Sequence, residues 1–299
     1  MVSTELQTEI RDFLTTRRAR ISPEDAGLPA YGGNRRVKGL RREEVAMLAG
    51  VSVDYYVRLE RGNLAGASEG VLQAIADALK LDDAERAHFY ALADASGERS
   101  VRRASRPAGT VRPELQLLLD AITDAPAWIR NGRHDIIAMN SLARALYSPV
   151  LADPRRPANT TRFIYLHPDA AREFFVDYPT VARDAAAMLH LEAGKDPHDK
   201  ALQELVGELS TQSEEFRKRW ASHDVQFHRS GVKRLRHPVV GQLELAYESL
   251  EVASEAGLTM NVYTATPGSP AADALRLLAS WAATQESMPS EVQQSSASS

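Results

Sequence analysis

The sequence predicts an α+β protein: an all-α N-terminal domain followed by an antiparallel sheet that carries a helical insert. Three observations lead there. Residues 1–95 hold five short helical patterns closed by turns. Residues 113–283 open with two apolar runs, continue through helical stretches and finish with three more runs that alternate apolar and polar. Between them, SGERSVRRASRPAGTVR carries five arginines and one acid among Ser, Gly and Pro, which reads as a basic linker over 96–112. The Ser- and Gln-rich end, 284–299, reads as a disordered tail. At 299 residues the chain is long enough for two domains.

Leu6, Ile10, Phe13 and Leu14 recur at helical spacing over 4–20, and Arg17, Arg18 and Arg20 crowd the last turn, where cations suit the helix dipole. Ser22-Pro23 starts a new turn that Gly27 stops. A Gly-, Pro- and base-rich loop over 28–39 then delivers the chain to LRREEVAMLAGVSVDYYVRLERG, residues 40–62. Val45 and Leu48, three apart, share a face. Ala46 is small enough for two helices to cross closely. Gly50 permits the positive φ that a sharp turn needs, and Ser52 can cap a second helix whose Tyr55, Tyr56 and Leu59 form an apolar side. Gly62 ends it. This is a helix-turn-helix arrangement, whose second helix enters a DNA major groove. An ordinary helical hairpin has the same spacing. Charge separates the two: from Arg17 to Arg42 there are eight basic residues against two acids, suited to gripping phosphates. Ser68 caps a fourth helix, and Asp82 to Glu85 is a capping box that opens a fifth.

In the second half, Leu115, Leu118, Leu119 and Ile122 mark an amphipathic helix. The runs 127–130 and 135–140 make a hairpin. Helical stretches follow at 142–147, 168–176, 180–192, 199–209 and 214–222. Strands return at 225–228 and 232–236, about a turn at Ser230-Gly231, then at 239–252 and 258–264. Leu243, Leu245 and Tyr247 point one way, Glu244, Ala246 and Glu248 the other. A helix over 270–281 closes the domain. Two strands, helices, then three strands suggest a PAS-like sheet, with a cavity between sheet and helices.

The net charge is −4, but it is unevenly spread: 18 Lys and Arg against 16 Asp and Glu in residues 1–112, and 18 against 24 afterwards. A net +2 half joined to a net −6 half fits a DNA-contacting part and an acidic part with another task. With no cysteine, disulfides and thiolate zinc sites are excluded, in keeping with a cytoplasmic protein. No apolar stretch approaches the ~20 residues that span a bilayer, so no membrane partner is expected. Motifs for nucleotide cradles, zinc proteases and serine hydrolases are missing, so no enzyme, cofactor or metal is expected. His223, His228 and His237 could suggest a metal site. His223 and His237 read better as hydrogen-bonding framework residues, because the partners are strand-borne and no carboxylate pair at helical spacing joins them.

RRARISPEDAGLP (17–29), GLRREEVAMLAGVSVDYYVRLERG (39–62), LDDAERAHFYALA (81–93), VRPELQLLLDAITDAPAWI (111–129), WASHDV (220–225), GVKRLRHPVVGQLELAYESL (231–250) and TATPGSPAADALRLLA (264–279) resemble the MmyB-like regulators of actinobacterial type. Residues 40–62 are similar to the lambda-repressor (XRE) type of helix-turn-helix. The resemblance implies a transcriptional regulator that binds a double-stranded operator, with a PAS-like domain for a small molecule, a fatty-acid-like one being a candidate. A homodimer and a two-fold operator are expected. Ser52, Val53, Asp54, Tyr55 and Arg58 are then the base-facing set, with Arg58 suited to guanine and Val53 to a thymine methyl. Arg35, Arg36, Lys38, Arg41 and Arg42 would hold phosphates. Where the family carries a basic, Pro-rich loop, this chain has Asn63-Leu64-Ala65-Gly66-Ala67-Ser68, which should flatten the salt dependence. The pocket candidates are Trp128, Ile137, Met139, Tyr165, Phe174, Trp220, Tyr247 and Tyr263. Lys233, Arg234 and Arg236 form an exposed strand face that could meet an acidic head-group. An enzyme with a helical accessory domain, or a helix-turn-helix used for protein contact, are the alternatives.

Overall fold

The computed structural model describes residues 4–28, 39–96, 110–196, 199–225, 229–255 and 257–287. Its elements run α1 (Thr4–Arg20), α2 (Arg42–Leu48), α3 (Val53–Glu60), α4 (Glu69–Ala78), α5 (Asp83–Ser96), α6 (Pro113–Ala121), β1 (Ala127–Asn131), β2 (Ile136–Met139), α7 (Ser141–Leu146), α8 (Ser148–Leu151), α9 (Thr160–Leu166), α10 (Pro168–Phe174), α11 (Tyr178–Lys195), α12 (Lys200–Gln212), α13 (Glu214–Trp220), β3 (Ser230–His237), β4 (Gly241–Glu251), β5 (Leu258–Thr264) and α14 (Pro270–Ser287). They form two compact units. One joins α1–α5 to the chain from Arg183 in α11 through α13. The other holds α6–α10, the sheet and α14. Packing therefore cuts the chain differently from composition: much of the helical insert expected in the second domain packs with the N-terminal helices, and Val225 lies in their core.

The first unit is built on α1, whose Leu6, Ile10, Phe13 and Leu14 are buried at the spacing expected. Val45, Ala46, Tyr56, Leu59, Ile75, Phe89 and Leu92 complete the core. Leu48 does not share Val45's fate. It is 37% exposed, and Met47 is 62% exposed, because α2 ends there and turns its last residues outward. Gly50 takes φ +65°, and Val51 N–H reaches back to Ala46 O at 2.9 Å, closing the turn. Ser52 Oγ accepts from Tyr55 N–H, and Asp82 and Glu85 satisfy each other's N–H groups as a capping box.

The second unit is a five-stranded antiparallel sheet of order β2-β1-β5-β4-β3. On one face α6 lays Leu115 and Leu119 against Ala127, Ile129, Ala138 and Met260. Leu118 is exposed instead. The register aligns Trp128 with Met139 and Asn261, and Tyr247 with Tyr263, so these residues share the other face. Two expectations fail at β3. Ser230-Gly231 is strand, paired with Glu248 and Tyr247, and the turn falls at 238–240, so that β4 begins at Gly241. A Cβ at Gly231 would stand 3.1 Å from the Tyr247 ring, so glycine leaves room for the tyrosine on the neighbouring strand. Residues 226–228 of the expected strand 225–228 lie outside the described residues. Helices α8 and α9 were not anticipated, and α14 runs to Ser287, into the expected tail. Of the expected linker, residues 97–109 lie outside the described residues. Its last member, Arg112, pairs with Glu255 at 2.8 Å.

Candidate functional site

The first site is the outward side of α3. Ser52, Val53, Asp54 and Arg58 are exposed and Tyr55 is partly so, while Tyr56 and Leu59 are fully buried. An eight-residue helix with positions 53, 54 and 58 outward and 56 and 59 inward follows directly from helical periodicity. Arg58 lies over the Tyr55 ring, 4.8 Å from its centroid, and makes no ion pair with Asp54 or Glu44. Arg58 is exposed, and a guanidinium carries five N–H donors. Val53 is 45% exposed, an apolar contact beside a cation.

The phosphate set divides. Arg35, Arg36 and Lys38 lie outside the described residues. Arg41 is exposed and pairs loosely with Glu43 at 3.3 Å, while its N–H caps against Glu44. Arg42 is committed elsewhere. It reaches Glu60 at 2.9 Å, and Arg18 binds the same carboxylate at 2.9 and 3.0 Å. Glu60 is only 2% exposed. Burial alone would raise its carboxyl, but hydrogen bonds from Arg18 and Arg42 hold it below the usual carboxylate range. An acid buried this deeply demands its own cations, and spacing along the sequence did not reveal that demand.

The second site is the face of the sheet opposite α6. Tyr147, which sequence reasoning missed, sits at its centre. Its ring lies 5.3 Å from Trp128, 5.8 Å from Phe174 and 6.1 Å from Tyr263, and its hydroxyl is 2.6 Å from that of Tyr263. Tyr247 packs on Tyr263 at 6.1 Å. Of the eight expected residues, Trp128, Met139, Phe174, Tyr247 and Tyr263 thus gather on this face or against it. Ile137 is only half-buried, beside a break in the β1–β2 register. Tyr165 is buried with its hydroxyl on Ala182 O. Trp220 does not belong: it sits in the other compact unit, stacked on His190.

Two polar groups also lie on this face: Asn261, which sequence reasoning missed, and Lys233, read there as part of an exposed strand face. Asn261 is 3% exposed. One end of its amide bonds Ser249 at 2.7 Å and the other has no partner among the described residues. Lys233, aligned with Leu245, holds its ammonium 5.4 Å from the Tyr247 ring centroid. Arg234 points the other way and pairs with Asp177 at 2.7 and 2.8 Å. His237 is a framework residue as expected, with Nε2 donating to Ala145 O at 3.0 Å. A shallow groove of about 440 Å³ opens elsewhere, between Val232, Glu244, Ala246 and residues 264–267, and none of the expected pocket residues borders it.

Comparison with known families matches residues 9–89 to a helix-turn-helix domain and residues 111–278 to the MmyB-like transcription regulator ligand binding domain. No curated protein matches the chain. No helix among the described residues is long and apolar enough to cross a membrane. With an exposed second helix on a helix-turn-helix core, and a ligand-domain match over more than half its length, the chain belongs to the MmyB-like transcription regulators and is a DNA-binding member of that family.

Proposed function

We propose that the protein is a bacterial, cytoplasmic regulator of XRE type that binds a two-fold operator as a homodimer and responds to an apolar ligand with an acceptor head-group, a fatty acid being the class that fits best. The observation that carries the DNA half is the exposed stripe Ser52, Val53, Asp54 and Arg58 at the start of α3. Arg58 reads guanine through O6 and N7, Val53 meets a thymine methyl, and Asp54 accepts from cytosine N4. Arg41 holds phosphate, and Arg35, Arg36 and Lys38 are assigned the same task from their position ahead of α2. Arg42 takes part only through its exposed edge, since its charge is shared with Glu60.

The ligand half rests on the aromatic face of the sheet. Trp128, Met139, Phe174, Tyr247 and Tyr263, with Tyr147 added, offer an apolar lining. The unpaired end of the Asn261 amide and the Lys233 ammonium offer partners to a carboxylate. Ligand occupancy biases dimer geometry, and with it the half-site spacing that two recognition helices can reach.

The test is fluorescence anisotropy of the full chain on DNA from upstream of its own gene and on scrambled DNA, across salt concentrations and with and without a saturated fatty acid. Sequence preference, a falling affinity with salt and a shift on adding fatty acid support the reading. Absence of DNA binding at low salt would favour a helix-turn-helix used for protein contact. Unchanged operator affinity with fatty acid, together with no bound lipid in native mass spectra, would remove the ligand class and leave the DNA role standing.

A further inference from the structure

Apart from both sites, the first unit gathers four side chains that neither role uses. Glu9 comes from α1, His88 from α5, His190 from α11 and His223 from just after α13. Glu9 Oε1 lies 3.3 Å from His223 Nδ1, 3.4 Å from His190 Nδ1 and 3.7 Å from His88 Nε2. The ligand atoms of Glu9, His190 and His223 all lie within 4.8 Å of one another. The His88 and His190 side chains are 0% and 1% exposed.

The separations are long for a charge-assisted N–H···O⁻ bond, about 2.7–2.9 Å. The His223 and His190 separations match the edge of a tetrahedral metal centre, and that of His88, at 3.7 Å, is slightly longer. Metal–ligand bonds of about 2.0–2.1 Å at tetrahedral angles put neighbouring ligand atoms about 3.3–3.4 Å apart.

Proton bookkeeping points the same way. His190 Nε2 is 2.7 Å from the Trp220 carbonyl oxygen, which can only accept, so Nε2 carries the proton. In the neutral ring Nδ1 is then a lone pair facing the Glu9 carboxylate, another acceptor, and Nδ1 has no hydrogen-bond partner among the described residues. Neither nitrogen of His88 has one among the described residues. Facing acceptors in a buried site call for a cation between them.

The surroundings are built to hold the rings still. Trp220 stacks on His190 at 3.6 Å and 13°. An imidazole N–H given to a backbone carbonyl is the orienting bond of metal-bound histidines. His223 sits at φ +50°, a conformation L-residues rarely adopt, and it is pinned by Arg17 on its carbonyl and by Arg20 on Asp224.

We propose that Glu9, His190 and His223, with His88 as the fourth ligand, bind one zinc-class divalent ion. The three imidazoles and one carboxylate, without thiolate, suit zinc and the late first-row ions. The ion fastens α1 and α5 of the helix-turn-helix core to α11 and to the segment after α13, so metal supply tunes the rigidity of the unit that presents α3. This stands independently of the ligand proposed for the sheet.

The experiment uses the full, untagged chain stripped with chelator. Co²⁺ is titrated and its visible absorption followed, and Zn²⁺ then displaces it. A saturable four-coordinate spectrum at one equivalent supports the site. No spectrum, or saturation well below one equivalent, overturns it. Glu9→Gln and His223→Ala should each weaken Zn²⁺ binding at least about tenfold, as losing a ligand or its support does. Wild-type affinity in both would overturn the assignment. Zn²⁺ should raise the melting temperature of the wild-type chain and not that of Glu9→Gln. Equal shifts in the two would mean that the cluster is a proton-sharing framework only. The wild-type Co²⁺ titration decides the matter even if a variant fails to fold.

Discussion

Arg18 of α1 grips the Glu60 carboxylate at the end of α3 through two hydrogen bonds of 2.9 and 3.0 Å, and Glu60 is almost wholly buried. The first helix of the domain is thereby locked to α3, the second helix of the helix-turn-helix. The direction in which Val53, Asp54 and Arg58 face is set by an ion pair on the opposite side of α3.

Removing that charge should be costly. Glu60→Gln leaves Arg18 uncompensated and should lower the unfolding free energy by about 3–5 kcal/mol, read by urea denaturation at neutral pH. The pH dependence has a definite sign. The Glu60 carboxyl lies lower in the folded than in the unfolded chain, so its contribution is whole above the unfolded-state value and disappears as pH falls through the folded-state value. The wild-type chain should lose stability through the acid range more steeply than Glu60→Gln. Parallel acid limbs would show that the pair does not carry this stability.

Arg58→Ala should cost about 1–3 kcal/mol of operator binding and relax preference at one base position. Arg41→Ala should instead weaken binding to all sequences alike and reduce the salt slope by about one. Anisotropy on operator and scrambled duplexes separates the two patterns. Arg58→Ala with undiminished discrimination would take base reading away from that residue.

The turn between α2 and α3 gives two independent backbone tests. Gly50→Ala meets no neighbouring atom, so its cost is purely conformational: about 1–2 kcal/mol for a left-handed alanine at φ +65°. Ser52→Ala removes the acceptor for Tyr55 N–H and should cost about 1 kcal/mol. Chemical denaturation measures both. A neutral Gly50→Ala would mean that the turn relaxes out of the left-handed region.

In the ligand domain, Tyr147→Phe and Tyr263→Phe each strand the other's buried hydroxyl, at about 1–3 kcal/mol. The double substitution should cost less than the sum, because neither hydroxyl is then left without the other. A double-mutant cycle by thermal melting checks this. Strict additivity would contradict the hydroxyl pair.

What could be read without coordinates was local. Ser52, Ser68 and the Asp82–Glu85 box announce helix starts because a cap needs only a donor and an acceptor three residues apart. The alternation of Leu243, Leu245 and Tyr247 announces a half-buried strand, because side chains on a strand repeat every two residues. Both family matches run through these signals. Short α8 and α9 escaped the reading, although α7, α10 and α13, equally short, did not. The turn expected at Ser230-Gly231 failed because glycine there serves a tyrosine on the next strand, not a bend.

The two-part α+β architecture and the helix-turn-helix character were thus already written in the chain, carried by spacings of two to four residues that obey backbone geometry alone. Folding in three dimensions decided the rest. It tied Arg42 and Arg18 to Glu60, put Trp220 in the other compact unit from the aromatic face of the sheet, put Tyr147 at the centre of that face and brought Glu9 against His223 across 214 positions. Such pairings depend on which buried charge or ring must be satisfied by whatever neighbour packing supplies, and no short stretch of sequence encodes that neighbour.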